Sequence, residues 1–186
     1  MLLADAVDVL EGWRAPDAEQ EELRRHYLRH LAEHPDGMWR SCRPEHVTAS
    51  ALVVDAQSQS TLLTLHKTVG RWLQLGGHCE PGDTTLGGAA LREATEESGL
   101  PDLVVSRQPV RLSRHQLHAG GCAGVYHLDV QYLVTATTDA QHVISDESDD
   151  LRWFPLDALP SDTDASVRAL TTQARHYIPN PIPTES

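Results

Sequence analysis

A layered α/β or α+β fold is predicted by three features of the chain. Apolar residues recur at helical spacing up to about residue 34 and at strand-like spacing from His46 onward. The strongest helical stretch, 83–98, lies between strand-like segments, and a last helical stretch, 162–177, follows the final one. Strands on both sides of a central helix, with further helix near the end, stack as layers around one core.

The 186 residues suit one domain with an appendage and suffice to bury roughly two thirds of the unfolded surface. An apolar share of 40% with 23% charged residues excludes the disordered, collagenous and small disulfide-scaffold classes. The net charge of -12 repels nucleic acid duplexes and anionic lipid. No apolar run reaches the roughly 20 residues needed to span a bilayer, and Met1 to Asp5 lacks the basic flank of a signal peptide, so a cytoplasmic location and no membrane partner are expected. Cys42, Cys79 and Cys122 are odd in number and far apart, and read as free thiols.

Taken in order, Leu2, Val7 and Leu10 mark a short amphipathic helix that ends near Gly12 to Pro16. A second helix spans 17–34, with Leu23, Tyr27 and Leu31 at i+4 spacing and Pro35 as a stop. Residues 1–45 thus form a helical lead-in, expected to be removable as far as Pro35 without loss of a foldable core. Segments 47–55 and 61–66, separated by the turn-like 57–60, read as a hairpin. A short strand at Trp72 to Leu75 is broken by Gly76-Gly77 and Pro81-Gly82, and the central helix stops at Gly99 and Pro101. Further strands are expected over 103–117, 125–136 and 151–154, making 46–178 the main domain. The prolines at 179, 181 and 183 end helical structure and set off 179–186 as a tail.

The chemistry concentrates in the central helix. Glu93 and Glu97 stand one turn apart, with Glu96 flanking them, so three like charges share one sector. A divalent cation held by oxygen ligands relieves their repulsion, and Mg²⁺ or Mn²⁺ is the expected choice. On the helical wheel Leu86 and Ala90 fall in the sector of Glu93 and Glu97, which turns the acids towards the protein body. Arg92, four residues before Glu96, can fix its rotamer. Gly76 and Gly77 allow unusual φ values that can turn a main-chain carbonyl towards an ion. Gly87 and Gly88, unfavourable early in a helix by about 1 kcal/mol each, point to close packing against a strand.

This stretch resembles the signature of the Nudix hydrolase family, G-x5-E-x7-R-E-U-x-E-E-x-G-U with U aliphatic. Gly77, Arg92, Glu93, Glu96, Glu97, Gly99 and Leu100 match it. Three positions depart: Asp83 stands in place of the first Glu, Ala94 is smaller than the usual aliphatic, and eight residues separate Asp83 from Arg92. The segments 72–78 and 151–160 also look like this family, so the resemblance spans roughly 46–176. It implies an α/β/α sandwich with a mixed sheet, extended here by the helical N-terminal segment, and a loop-helix-loop that binds metal. It further implies hydrolysis of a phosphoanhydride in a nucleoside diphosphate derivative by metal-activated water attack on phosphorus.

Carried over to this chain, the resemblance makes Glu93, Glu96 and Glu97 metal-binding or base carboxylates, the Gly76 carbonyl another ligand and Arg92 the orienting cation. Glu147, in the acidic run 146–150, is the candidate for an additional carboxylate. Segment 125–134 alternates, with His127, Asp129 and Gln131 on one face. With His115, His118 and the loop residue His78 they are candidates to line the cleft for a small diphosphate substrate, the other reading being a sheet with one wet face. His26, His30 and His34 at i+4 spacing offer a metal stripe, an exposed helix face or a homodimer contact, and no acid or cysteine stands beside them at a recognised ligand spacing. The alternative function is a catalytically inactive nucleotide-binding or regulatory module on the same fold.

Overall fold

Two parallel strands, β1 (Glu45–Val54) and β7 (Tyr126–Ala136), run side by side through ten register partners and form the spine of the computed structural model. The structure describes residues 1–57, 59–116, 124–137, 141–144 and 148–178. Every residue of β1 is buried, which explains its near-continuous apolar and small composition.

Short partners attach at each end of this pair. The β1 strand pairs antiparallel with β2 (Ser60–His66) at Val53 and Val54, then with β4 (Leu75–His78) from Thr48 to Ala51. The expected hairpin is therefore only its tip. The rest of β2 takes β3 (Trp72–Leu73) on one side and β8 (Ser148–Pro155) on the other. Similarly, β7 pairs with β5 (Leu103–Val105) near one end and β6 (Arg111–Gln116) near the other. The strand expected over 103–117 is thus split, and Pro109, with no N–H to donate, lies in the break. Among the described residues the result is one mixed, eight-stranded sheet.

Gly76 and Gly77 do not break the strand as expected; both lie inside β4, opposite Ser50 and Ala49. A side chain at Gly76 would collide with the Ser50 side chain and the Ala49 carbonyl, and its φ is 150°. Glycine lets β4 press onto β1 there.

Strand alternation sorts the two faces. Val47, Ala49, Ala51 and Val53 of β1, with Leu128, Val130, Tyr132 and Val134 of β7, meet the helices α1 (Leu2–Gly12), α2 (Ala18–Glu33) and α3 (Leu86–Ser98). Leu52, Val54 and Leu133 point the other way and meet Leu170 and Ala174 of α4 (Ala165–Ala174). This is an α/β/α sandwich. The remaining residues of that second face, His46, Thr48, Ser50, His127, Asp129 and Gln131, are polar and buried, so the face is not wet.

The lead-in helices complete the first layer. Leu2, Ala6, Leu10, Tyr27 and Leu31 share one apolar cluster with Val47, Leu86, Ala89, Leu128, Val130 and Tyr132. Asp17 caps α2 by accepting from the Gln20 N–H at 2.8 Å. The buried Gln20 side chain then pairs with the β6 edge, accepting from the Leu112 N–H at 2.7 Å and donating to the Leu112 carbonyl at 3.1 Å. Asp5 accepts from the Leu86 N–H at 2.7 Å, so α1 helps cap α3. The expectation that residues up to Pro35 can be removed does not match this packing, because amphipathic spacing reveals an apolar face but not what covers it. None of the helices among the described residues is long and apolar enough to cross a membrane.

Candidate active site

Helix α3 begins three residues later than its spacing suggested, because Thr85 is the cap. The Thr85 hydroxyl accepts from the Gly88 N–H at 3.0 Å, and a side chain at Gly88 would strike that hydroxyl. Capping accounts for Gly88, whereas Gly87 lies at ordinary contact distance from Tyr132. At the other end Gly99 takes a left-handed φ of 65° and its N–H bonds back to Thr95. The buried face of α3 carries Leu86, Ala89, Ala90 and Ala94, and the small Ala94 packs among Ala51, Leu75 and Val134.

Glu93 and Glu97 extend from this face half-buried, whereas Glu96 is 60% exposed and lies at the outer edge. Inward orientation thus holds for two of the acids and not for Glu96, which the 100° step places towards solvent. Glu93 approaches β4 so closely that a Cβ built on Gly77 would sit 2.7 Å from its Oε1. The missing side chain is the space that Glu93 occupies.

Arg92 ties the parts together. Its Nε and Nη2 donate to Asp83 Oδ1 and Oδ2 at 3.1 and 3.0 Å, and Nη2 also donates to the His78 carbonyl at 3.0 Å. Its Nη1 donates to Glu93 Oε1 at 3.1 Å and Glu96 Oε2 at 3.0 Å. The Asp83 hydrogen bond is the first cause that raises the guanidinium pKa above its ordinary value. Burial pushes the Asp83 carboxyl up, but Arg92 and the Glu80 N–H outweigh it and hold the carboxyl below its ordinary range. Asp83 therefore anchors the turn before α3, a role that its departure from the signature concealed. The Glu96 contact follows from the i+4 spacing of α3, whereas the His78 carbonyl belongs to β4.

Carboxylate and carbonyl oxygens make a hard donor set at the junction of β4 and α3, and the cradle left by Gly77 admits Glu93 to it. These residues fit a Mg²⁺- or Mn²⁺-type cation. Glu147, His118 and Cys122 lie outside the described residues. Cys42 and Cys79 are free and buried, and burial pushes the Cys79 thiol up to about 12, which leaves it unreactive.

The opposite face of β4 carries different chemistry. Asp129 is 3% exposed and accepts from Thr48 at 3.1 Å, Ser50 at 2.7 Å, Gln74 at 3.3 Å and Gln131 at 3.1 Å. Both its oxygens are engaged within the protein, so it organises this face. Beside it, His46, His78 and His127 come together from three strands, with His115 5.6 Å from His127 between ring centroids. Sequence reading selected His78, His115 and His127 but missed His46, Thr48, Ser50 and Gln74. The available signal was the alternation His46-x-Thr48-x-Ser50, which runs parallel to His127-x-Asp129-x-Gln131.

The result is an α/β/α sandwich with an acid-bearing helix docked on a glycine-containing strand. The family model for the NUDIX domain matches residues 44–174, and the chain belongs to the Nudix family. Similar solved structures include a NUDIX-family hydrolase from Clostridium perfringens, with 23% identity and TM-score 0.60, covering 72% of this chain and 97% of that one. A C. elegans Ap4A hydrolase has 17% identity and TM-score 0.59, covering 71% and 96%. The NUDIX domain of Shewanella oneidensis NrtR, complexed with ADP ribose, has 18% identity and TM-score 0.56, covering 81% and 97%. These likenesses concern the fold. No curated protein matches the chain in a sequence comparison.

Proposed function

We propose that the chain hydrolyses a phosphoanhydride bond in a nucleoside diphosphate derivative, with Mg²⁺ or Mn²⁺ held by Glu93, Glu96, Glu97 and the Gly76 carbonyl. The observation that carries this reading is Glu93 seated against Gly77 while Arg92, pinned by Asp83, reaches the same carboxylate. A carboxylate fixed in this way is preorganised, so little reorganisation accompanies the reaction.

A divalent cation bound there supplies neutralisation of the phosphate oxygens and a lowered pKa for the attacking water. The glutamates do two jobs, holding the cation and accepting the proton that water loses as it attacks phosphorus. Arg92 keeps Glu93 and Glu96 oriented. No covalent intermediate with the protein is required, since water is the nucleophile and the second phosphate is the leaving group. The relatives crystallised with or named for Ap4A and ADP ribose support a nucleotide derivative as the substrate class.

The test is incubation of the full chain with nucleoside triphosphates, nucleotide sugars, ADP-ribose, dinucleotides and capped nucleotides, with and without Mg²⁺ or Mn²⁺. Release of phosphate, pyrophosphate or mononucleotide only in the presence of the cation is expected. Product formation unaffected by a chelator overturns the metal assignment, and no product from any member overturns the substrate class.

A further inference from the structure

We propose that His46, His78 and His127 form a second metal site, for one borderline transition-metal ion of the zinc type, across the sheet from the glutamates and with a coordination position left for an oxygen of an anionic ligand. This inference stands apart from the hydrolase reading and is tested by metal binding alone.

Sheet register brings the three rings together. His46 on β1 lies directly opposite His127 on the parallel β7, and His78 at the end of β4 is opposite Thr48, two residues along from His46. Their ring centroids stand 5.1, 4.9 and 4.9 Å apart, a nearly equilateral triangle. One ring nitrogen from each lies within 4.8 Å of the others. Tetrahedral zinc with bonds of about 2.0–2.1 Å separates its nitrogen ligands by about 3.4 Å. Ligation therefore requires the three rings to turn towards one another about their side-chain torsions.

The hydrogen bond of His46 leaves the required lone pair on that ring. The Nδ1 of His46 is 3.2 Å from the Cys42 carbonyl, which can only accept, so Nδ1 carries the proton and Nε2 presents its lone pair. That carbonyl is the kind of outer partner that orients a ligating histidine. His46 is fully buried and His127 is 9% exposed, and the Nε2 of each has no hydrogen-bond partner among the described residues. A buried polar atom without a partner is destabilising, and ligation removes the deficit.

Burial, with neighbouring histidines and Arg40 adding to it, lowers the pKa of His127 to about 3. Burial likewise lowers His46. Neutral imidazoles are ligands without first losing a proton. Three nitrogens favour zinc, nickel or copper over magnesium, the reverse of the oxygen set on α3. The positive charge of Arg40 acts on all three rings and favours an anionic oxygen, such as one from phosphate, in the remaining position. The other group within ligating reach, His34, Asp36 and Cys42, is the weaker candidate: Asp36 is exposed, and burial raises the Cys42 thiol pKa.

The full chain, stripped with a chelator, is titrated with Zn²⁺ and with Co²⁺ while binding heat and visible absorption are recorded. One equivalent with the bands of tetrahedral nitrogen-ligated cobalt is expected. His46→Ala, His78→Ala and His127→Ala should each weaken zinc binding by more than the about 10–100-fold that loss of an outer partner costs. Glu97→Gln and Cys42→Ser should retain it. His78→Ala decides the matter if the two deeply buried variants fail to fold, because His78 is only half-buried. The proposal is overturned if zinc does not bind, if His78→Ala binds it normally, or if Cys42→Ser abolishes binding. Binding of inorganic phosphate without metal, lost in the same histidine variants, also overturns it.

Discussion

Both carboxylate oxygens of Asp83 are taken by the Arg92 guanidinium, at 3.1 and 3.0 Å, so the turn before α3 and the helix that bears the glutamates move as one piece. The Asp83 side chain is 7% exposed. Asp83→Asn is expected to destabilise the fold by about 1–3 kcal/mol at neutral pH. Because the folded pKa lies below the ordinary 3.8, the pair contributes fully above that pH and its contribution is lost as pH falls through the folded value. Thermal unfolding of both proteins should show their gap closing in acid. A gap that stays constant down to the acid transition removes Asp83 from this role.

Gly77→Ala separates function from stability. The added methyl must displace Glu93 Oε1, the end of a flexible side chain, and Gly77 has no positive φ to strain. Stability should change by no more than about 1 kcal/mol while turnover falls about tenfold or more. Unchanged turnover in steady-state assays contradicts the placement of Glu93 at the reacting centre.

Glu97→Gln keeps the size of the side chain and removes its charge. Turnover should fall by about a hundredfold or more with an unaltered circular dichroism spectrum. Near-normal turnover at saturating Mg²⁺ excludes Glu97 from the mechanism.

Gln20→Ala leaves the buried N–H of Leu112 without its side-chain partner, while the Leu112 carbonyl keeps the Arg111 guanidinium at 3.1 Å. The expected loss is about 1–3 kcal/mol per group left unsatisfied, read from the denaturant midpoint. A change within experimental error means that β6 does not depend on α2 for its edge.

Removal of residues 1–35 exposes Leu128, Val130 and Tyr132, which Leu10, Tyr27 and Leu31 now cover. Burial of each leucine contributes about 1.5–3 kcal/mol, a large share of a domain's net stability. The truncated chain should be unfolded or aggregated, as size-exclusion chromatography and circular dichroism will show. A soluble, cooperatively folding product means that the sheet does not need this layer.

The class of fold, the order of its elements and the glutamate helix were legible in the chain because they rest on local regularities. Apolar spacing marked α2 and the buried side of α3, and the signature spacing set Arg92, Glu93 and Glu97 on their helix. The split between β5 and β6 was not legible, nor was the passage of β4 through two glycines, since both depend on which strand lies alongside.

What the sequence by itself determined is what a single helix or strand expresses: periodicity, the stop at Gly99, and the acids one turn apart. Tertiary structure alone decided that Asp83 holds Arg92, that Gln20 closes the edge of β6, and that His46 joins two histidines 32 and 81 positions away by number (78 − 46 and 127 − 46). Local spacing encodes which face a residue occupies, whereas partners across a sheet depend on strand register, which is set by the packing of the whole core.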